Sequence, residues 1–420
     1  MSHKRGRKRC VRQKRIRRIV AVAACAAAVL TISIFMYQKN NFSIELKGEK
    51  NVEIGLNGVY EEQGAKAVIN GKDVTDDITI EGEVDPSKPG EYTLTYRAGS
   101  LEAVRNVTVS EQMNPKLEIK GEEDISVKLG EPFKEPGYTA ADEKGNDITG
   151  DVQVSYDELN KAGTRKISYT VKDEKGRTTR VYRNVNVEPN KTYETAGLPI
   201  CMYHYVYDEN DPPEDLQKRY GNYISVAALS EELKWLNEQG YYYPSWQEVR
   251  DYIDGKLVLP EKSIVLCFDD GAKSFLENGI PVLEKYEVPA TCFTITSSDG
   301  RGKISEYKSD YVSYESHSHN MHRGGGNIGH GGIFPVISEK DGLSDLKESI
   351  DICGSGDAFA YPFGDYNERC VGMVEKSGFL CAVTTEYGKA KPGDDPLLLP
   401  RVRMTNGQSL KAFIDKVKPL

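Results

Sequence analysis

A repeat limits how this chain folds more than any other feature. "DVTDDI" (Asp73 to Ile78) returns as "DITGDV" (Asp147 to Val152), and "RNVTV" (Arg105 to Val109) returns as "RNVNV" (Arg183 to Val187). "PGEYTLTYRA" returns as "AGTRKISYTV", and "VYEEQGA" as "PFKEPGY". The offsets are all about 73 to 78 residues, so residues 44–188 hold two copies of one unit. Alternation such as Tyr92-Thr-Leu-Thr-Tyr96 has the period of a half-buried strand, and Gly, Pro and Asp turns punctuate it. Several short strands in roughly 70 residues predict a small β-sandwich in each copy.

The pattern resembles the immunoglobulin-like modules of bacterial surface proteins, with one module over 44–110 and a second over 115–188. Neither carries a catalytic constellation. Spacers that hold another domain away from a surface are the expectation, with glycan binding the alternative. A polar linker, "EPNKTYETAG", follows, its core spanning 189–197. Beyond it short apolar runs ("LPICMYHYV", "SIVLCFDDG", "PATCFTIT", "DAFAYPFG") alternate with helical patterns such as "SVAALSEELKWLNEQG". That helix has Leu229, Leu233 and Leu236 on one face and ends on Gly240. Strands alternating with helices predict an α/β domain with a largely parallel sheet over 198–420. Catalytic groups in such folds gather at the C-terminal ends of the strands.

The other end of the chain is different. Ten of the 55 Lys and Arg residues fall in the first eighteen, with no acid, so a basic tail over 1–18 precedes an acidic remainder. An apolar stretch, "IVAVAACAAAVLTISIFMY", follows over 19–37. At about 1.5 Å per residue it spans roughly 28 Å, close to the hydrocarbon thickness of a bilayer. Basic residues before it predict a cytoplasmic N-terminus and a single-pass transmembrane anchor, with everything after residue 40 outside the cell membrane. No basic segment elsewhere argues for nucleic acid. Of eight cysteines, Cys353, Cys370 and Cys381 could supply one disulfide, and no CxxC metal motif is present.

Two features carry chemistry. "SIVLCFDDG" sets Asp269 and Asp270 at the end of an apolar strand; neighbours in a strand point oppositely, so the two carboxylates can take different roles. Asp-Gly is also ordinary turn chemistry. "YESHSHNMH" then puts three of the six histidines, His317, His319 and His322, into six residues. Histidine and carboxylate are zinc ligands, and an open catalytic site takes three protein ligands. His330, in the glycine-rich "RGGGNIGHGG" that follows and looks mobile, reads as a loop residue.

"FDDG", the histidine cluster, "FAYPFG" and "LPRVRM" together resemble the polysaccharide deacetylases of the NodB-homology type (carbohydrate esterase family 4). The similarity is greatest to the circularly permuted branch that includes the deacetylases of poly-N-acetylglucosamine, in which a segment like "ICMYHYVYDE" opens the domain. The resemblance covers 198 to about 410. It implies a distorted (β/α) barrel, and with the anchor and two immunoglobulin-like β-sandwiches it makes the chain a multidomain protein.

The resemblance also implies roles. Asp270, His317 and His322 would be the metal ligands, with His319 left over toward cleft or solvent. Asp269 would be the general base. His204 would be the general acid that protonates the leaving amine, which an amide needs because its bare anion leaves poorly. The backbone N–H of Tyr361 would help hold the oxyanion. Pro362, Phe363 and Gly364 would shape that loop beside the substrate, with Tyr205 also in contact with it. Arg401 or Arg403, with Asp394 or Asp395, would tune His204. The implied cofactor is a divalent metal, zinc first, with cobalt and nickel suited to similar ligands. The implied partner is a polysaccharide containing GlcNAc, acted on by a monomer. An O-acetyl glycan esterase and a non-catalytic glycan-binding surface protein are the alternatives.

Overall fold

The computed structural model describes residues 42–111 and 113–419. The expected basic tail and the apolar span over 19–37 lie outside these residues. Among the described residues no helix is long and apolar enough to cross a membrane, so the fold class is corrected on this point. What the described residues form is two β-modules and a barrel.

These residues pack as two compact units. One comprises residues up to Glu123, Glu135–Tyr156 and Lys166–Arg183; the other comprises Asp124–Lys134, Asp157–Arg165 and Asn184–Leu420.

In the first unit, the hairpin Gly90–Ala98 with Leu101–Ser110 pairs in register from Gly90–Val109 to Ala98–Leu101. Asn51–Gly55 and Thr79–Glu81 flank it to complete a four-stranded sheet. Phe42–Leu46, Ala65–Ile69 and Lys72–Asp73 form a second sheet. Strand alternation turns Leu94, Tyr96, Val107 and Val109 inward, where they meet Ile54 and Ala65 between the sheets.

The repeat has a polar counterpart inside this core. Arg105 is buried, its Nη1 donates to Glu62 Oε1 at 2.7 Å, and its guanidinium lies 5.4 Å from the Tyr96 ring centre. The Tyr96 hydroxyl also donates to Glu62. The second copy repeats the set with Arg183, Glu135 and Tyr169. A buried guanidinium needs a paired carboxylate, which explains why "RNV" and the Glu before Gly recur together.

In the second unit seven parallel strands close into a barrel. They are β1 (Ile200–Tyr203), β2 (Val265–Phe268), β3 (Ala290–Thr294), β4 (Val312–Ser316), β5 (Ala358–Ala360), β6 (Cys381–Tyr387) and β7 (Leu399–Arg403). β1 pairs with β2 on one side and β7 on the other, which closes the ring. Between β1 and β2 lie α1 (Val226–Gln239) and α2 (Trp246–Ile253), and α3 (Ile280–Tyr286) follows β2. Another, α4 (Glu339–Cys353), links β4 to β5. Ser225 caps α1 and Gly240 ends it in the left-handed conformation, as its sequence predicts.

Strand alternation sorts the barrel into two layers. Cys201, Tyr203, Leu266 and Phe268 pack outward on Leu229, Leu233 and Leu283 of α1 and α3. Ile200, Val265, Cys267, Val383 and Leu399 face the other way, into a second apolar cluster. Extending that parity by one step past β1 and β2 brings His204 and Asp269 to the inner side of the rim, and within β7 the same parity turns Arg401 inward beside them. The six described cysteines are all free, so the disulfide that Cys353, Cys370 and Cys381 could have supplied is not formed; Cys370 and Cys381 are buried side chains.

Candidate active site

The rim of the barrel collects the predicted residues through backbone geometry that ordinary strands do not have. After β2 the chain turns sharply: Asp270 has φ 72° and Gly271 φ 58°. A Cβ at Gly271 would lie 2.9 Å from Thr294 Cγ2, so the turn needs glycine there. A non-glycine residue in the left-handed region stores on the order of 1–3 kcal/mol, and here that strain aims the two carboxylates apart. Asp269 faces Arg401, whereas Asp270 faces the histidines.

The histidines sit on a second tight turn after β4, where Ser318 has φ 69°. Ser318 Oγ accepts the amide of Met321 at 3.1 Å, and Asp345 of α4 accepts the amides of His319 and Asn320, each at 2.7 Å. These bonds fold the segment back so that His317 and His322 stand together, ring centres 4.8 Å apart. Nδ1 of His317 donates to the Ala360 carbonyl at 2.7 Å, which leaves its Nε2 lone pair free on the Asp270 side. Burial pushes the His322 imidazole down to about 4, with His317 the next cause, so it is neutral and able to ligate. Phe363, itself at φ 60°, packs its ring 4.1 Å from that of His322 and fixes its orientation.

Oδ1 of Asp270 is 3.6 Å from His317 Nε2 and 3.5 Å from His322 Nε2. Donors at about 2.0–2.2 Å around a tetrahedral ion stand about 3.3–3.6 Å apart, so this spacing fits one divalent metal. All three donor atoms lie within 4.8 Å of one another. The set fits the ion.

Asp269 and Arg401 form the other half of the site. Arg401 Nη1 and Nη2 donate to Asp269 Oδ1 and Oδ2, each at 2.8 Å, and its Nε donates to the Thr384 carbonyl at 2.7 Å. Both side chains are buried. Burial alone would raise the Asp269 pKa, but Arg401 overrides it and holds the carboxyl well below the ordinary range. His204 is close enough for both aspartates to raise its pKa, yet its burial outweighs them and lowers it below the usual imidazole value.

Comparison with known proteins gives the chain its relatives. Residues 256–382 match the family described as polysaccharide deacetylase, and residues 44–109 and 117–187 match the bacterial surface protein Ig-like domain. The Bacillus subtilis polysaccharide deacetylase homologue YxkH is 30% identical over 236 residues, covering 53% of this chain and 77% of that protein. This chain belongs to the polysaccharide deacetylase family. The chain is also 26% identical over 267 residues to the poly-β-1,6-N-acetyl-D-glucosamine N-deacetylase of Escherichia coli K12, covering 53% of this chain but only 38% of that protein. Among solved structures, the Streptococcus pyogenes deacetylase PplD in complex with acetate aligns with a TM-score of 0.47 at 23% identity, covering 54% of this chain and all of that one.

Several residues of the chain lie elsewhere than its sequence predicts. Arg401 engages Asp269 through its whole fork, and its charge and that of Arg403 also lower the His204 pKa, behind the larger effect of burial; Asp394 and Asp395, expected to share in that tuning, are engaged elsewhere. Those two aspartates accept loop amides, Asp394 from Lys391 and Asp395 from Leu397, while Arg403 reaches Asn222. The Tyr361 N–H, expected to face an oxyanion, donates to the Val383 carbonyl at 3.3 Å because the β5–β6 ladder runs one residue past β5. The Tyr361 ring is buried beside Phe334, Phe359 and Tyr366. Pro362 and Gly364 shape the turn that carries Phe363.

Tyr205, expected to touch substrate, donates its hydroxyl to Asp270 Oδ2 at 2.8 Å. His319 turns to Thr296 Oγ1 at 3.0 Å and to Glu348, away from the metal ligands. The glycine-rich loop is tied down: Asp365 accepts the amides of His330 and Gly332, each at 2.8 Å. Asp345 and Asp365 have no local signal in the sequence, because each clamps a backbone at least 25 residues away.

Proposed function

We propose that this protein hydrolyses the acetamido groups of GlcNAc residues in a cell-envelope polysaccharide, poly-N-acetylglucosamine or the glycan of peptidoglycan, and releases acetate. The observation that carries this reading is the meeting of two separately held carboxylates at one strand end. Asp270 is turned to a pair of imidazoles, and Asp269 is kept ionised by Arg401. Surface-type modules ahead of the barrel support work outside the cytoplasm, where such polymers lie.

Asp270, His317 and His322 would hold one divalent ion, zinc first. That ion supplies Lewis-acid polarisation of the acetamide carbonyl and a lowered pKa for water. The remaining steps belong to the chain. Asp269 accepts a proton from the attacking water, and Arg401 keeps the carboxylate ionised and fixed in direction. The water oxygen bonds to the carbonyl carbon, and the C–N bond breaks as His204 gives a proton to the nitrogen. Acetate and a free amine on the sugar result. A nitrogen leaving group needs this proton more than an ester oxygen does.

Acetate release from GlcNAc oligomers and polymers, with zinc returned to chelator-stripped protein, tests the reading. Asp269→Asn should lose at least a hundredfold in kcat, in line with loss of a general base, while still binding zinc. Loss of zinc binding in that variant would show that base and ligand are misassigned. No acetate from any GlcNAc polymer with any divalent ion would overturn the function.

A further inference from the structure

We infer that Tyr205, held by Arg219, sets the metal preference of the site by leaving Asp270 a single oxygen to offer. The inference rests on the metal-site reading above and goes beyond it to selectivity.

Both imidazoles make their closest approach to Oδ1 of Asp270. Oδ2 is occupied by the Tyr205 hydroxyl at 2.8 Å. The direction of that bond is forced. Arg219 Nη1 donates to the same hydroxyl oxygen at 3.0 Å, and a guanidinium has no acceptor, so the tyrosine proton goes to Asp270. Arg219 is fixed in turn. Its Nε lies 3.2 Å from Asp215, which also accepts the Tyr223 hydroxyl at 2.8 Å. Its guanidinium lies 5.6 Å from the Tyr205 ring centre, and the Tyr223 ring centre lies 5.0 Å from that of Tyr205. The segment 208–222 thus reaches Asp270 through one hydroxyl whose acceptor and donor capacities are both in use. Little of that hydroxyl is left for a sugar.

A carboxylate with one oxygen capped binds through the other. Three donors of one atom each, with an open fourth position, suit tetrahedral zinc. Manganese and magnesium prefer about six ligands rich in oxygen. Removing only the hydroxyl frees Oδ2 to bind alongside Oδ1, which raises the coordination number and favours the harder ions. Tyr205→Phe keeps the ring, so its packing against Tyr223 and Arg219 stays.

The test is direct titration of the chelator-stripped full-length chain with Zn2+ and, separately, Mn2+, by competition against a metal indicator. The variants are Tyr205→Phe and Arg219→Met, and the metal-free melting temperature serves as a control for folding. Tyr205→Phe should weaken Zn2+ binding by roughly 10- to 100-fold, the usual effect of losing a partner behind a ligand. Mn2+ binding should change less, so the Zn2+ to Mn2+ preference falls at least about tenfold. Arg219→Met should move the ratio the same way by a smaller factor. An unchanged ratio in Tyr205→Phe overturns the inference and leaves the metal site standing. A raised KM for GlcNAc oligomers with both metal affinities unchanged also overturns it, in favour of a substrate contact. Wild-type protein that takes up neither ion overturns the metal reading itself. No acetate is measured in the titration, so a failure of the proposed reaction is not mistaken for a failure here.

Discussion

Replacing Arg401 by Met should change how the barrel's stability depends on pH, and not merely its size. Asp269 is 3% exposed and Arg401 1%, and two 2.8 Å bonds join them. Met fills similar space but leaves a buried carboxylate without its cation, a loss of about 3–5 kcal/mol at neutral pH. In the wild type the folded pKa of Asp269 lies below its unfolded value of about 3.9. The pair's contribution is therefore complete above that value and is lost only as pH falls through the lower, folded one. Without Arg401, burial dominates and the folded pKa moves above the unfolded one. Stability then falls by up to about 1.4 kcal/mol for each pH unit between the unfolded pKa and the new folded one and levels off above it, and protonation on the acid side relieves it.

The deficit of the variant should thus be greatest near pH 8 and shrink toward about pH 5. Both tryptophans, Trp235 and Trp246, lie on α1 and α2 of the barrel, so their fluorescence follows this unit in urea. Measured on chelated protein, a deficit that stays constant over that range would refute the reasoning. So would one below about 1 kcal/mol, which is the size of a surface ion pair.

Burial pushes the Glu232 carboxyl up to about 7 despite bonds from Tyr203 and Gln408, so its contribution is full below the unfolded pKa and is lost as pH rises through about 7. Glu232→Gln should flatten the fall in the barrel's urea midpoint between about pH 5 and 8, and an unchanged slope would count against it. Gly364 has φ 77°, and a Cβ there would lie 2.2 Å from Thr385 Oγ1. Gly364→Ala should therefore cost about 1–3 kcal/mol and displace Phe363 from His322; urea unfolding and zinc titration check the two effects. Zinc at a hundred times its Kd should stabilise the wild-type barrel by about 2.7 kcal/mol, and EDTA should reverse the gain. His322→Ala should abolish that shift in a thermal melt; a shift that survives would place the ion elsewhere.

The parts of this molecule that are legible in its sequence are local. The two module copies are spelled twice, and Tyr92-Thr-Leu-Thr-Tyr96 falls within an observed strand, Gly90–Ala98. Asp269 and Asp270 end a strand, and the histidines lie within one turn of chain, so spacing alone keeps the two aspartates together and the histidines together. His204 and Arg401 follow the alternation of their strands. What spacing could not supply was partnership. Arg401 meets Asp269 across 132 residues of chain, and Tyr205 meets Asp270 across 65. The carboxylates of Asp345 and Asp365 hold turns whose own sequences say nothing of them.

By itself, then, the order of residues determined which side chains carry the chemistry and which strand ends present them, because alternation and turn preference act over a few residues. Only barrel closure decided which cation faces which acid, which hydroxyl caps Asp270 and which amide the Tyr361 backbone loses to Val383. Those choices depend on desolvation and on the register between strands distant in the chain, and neither quantity exists until the ring has closed.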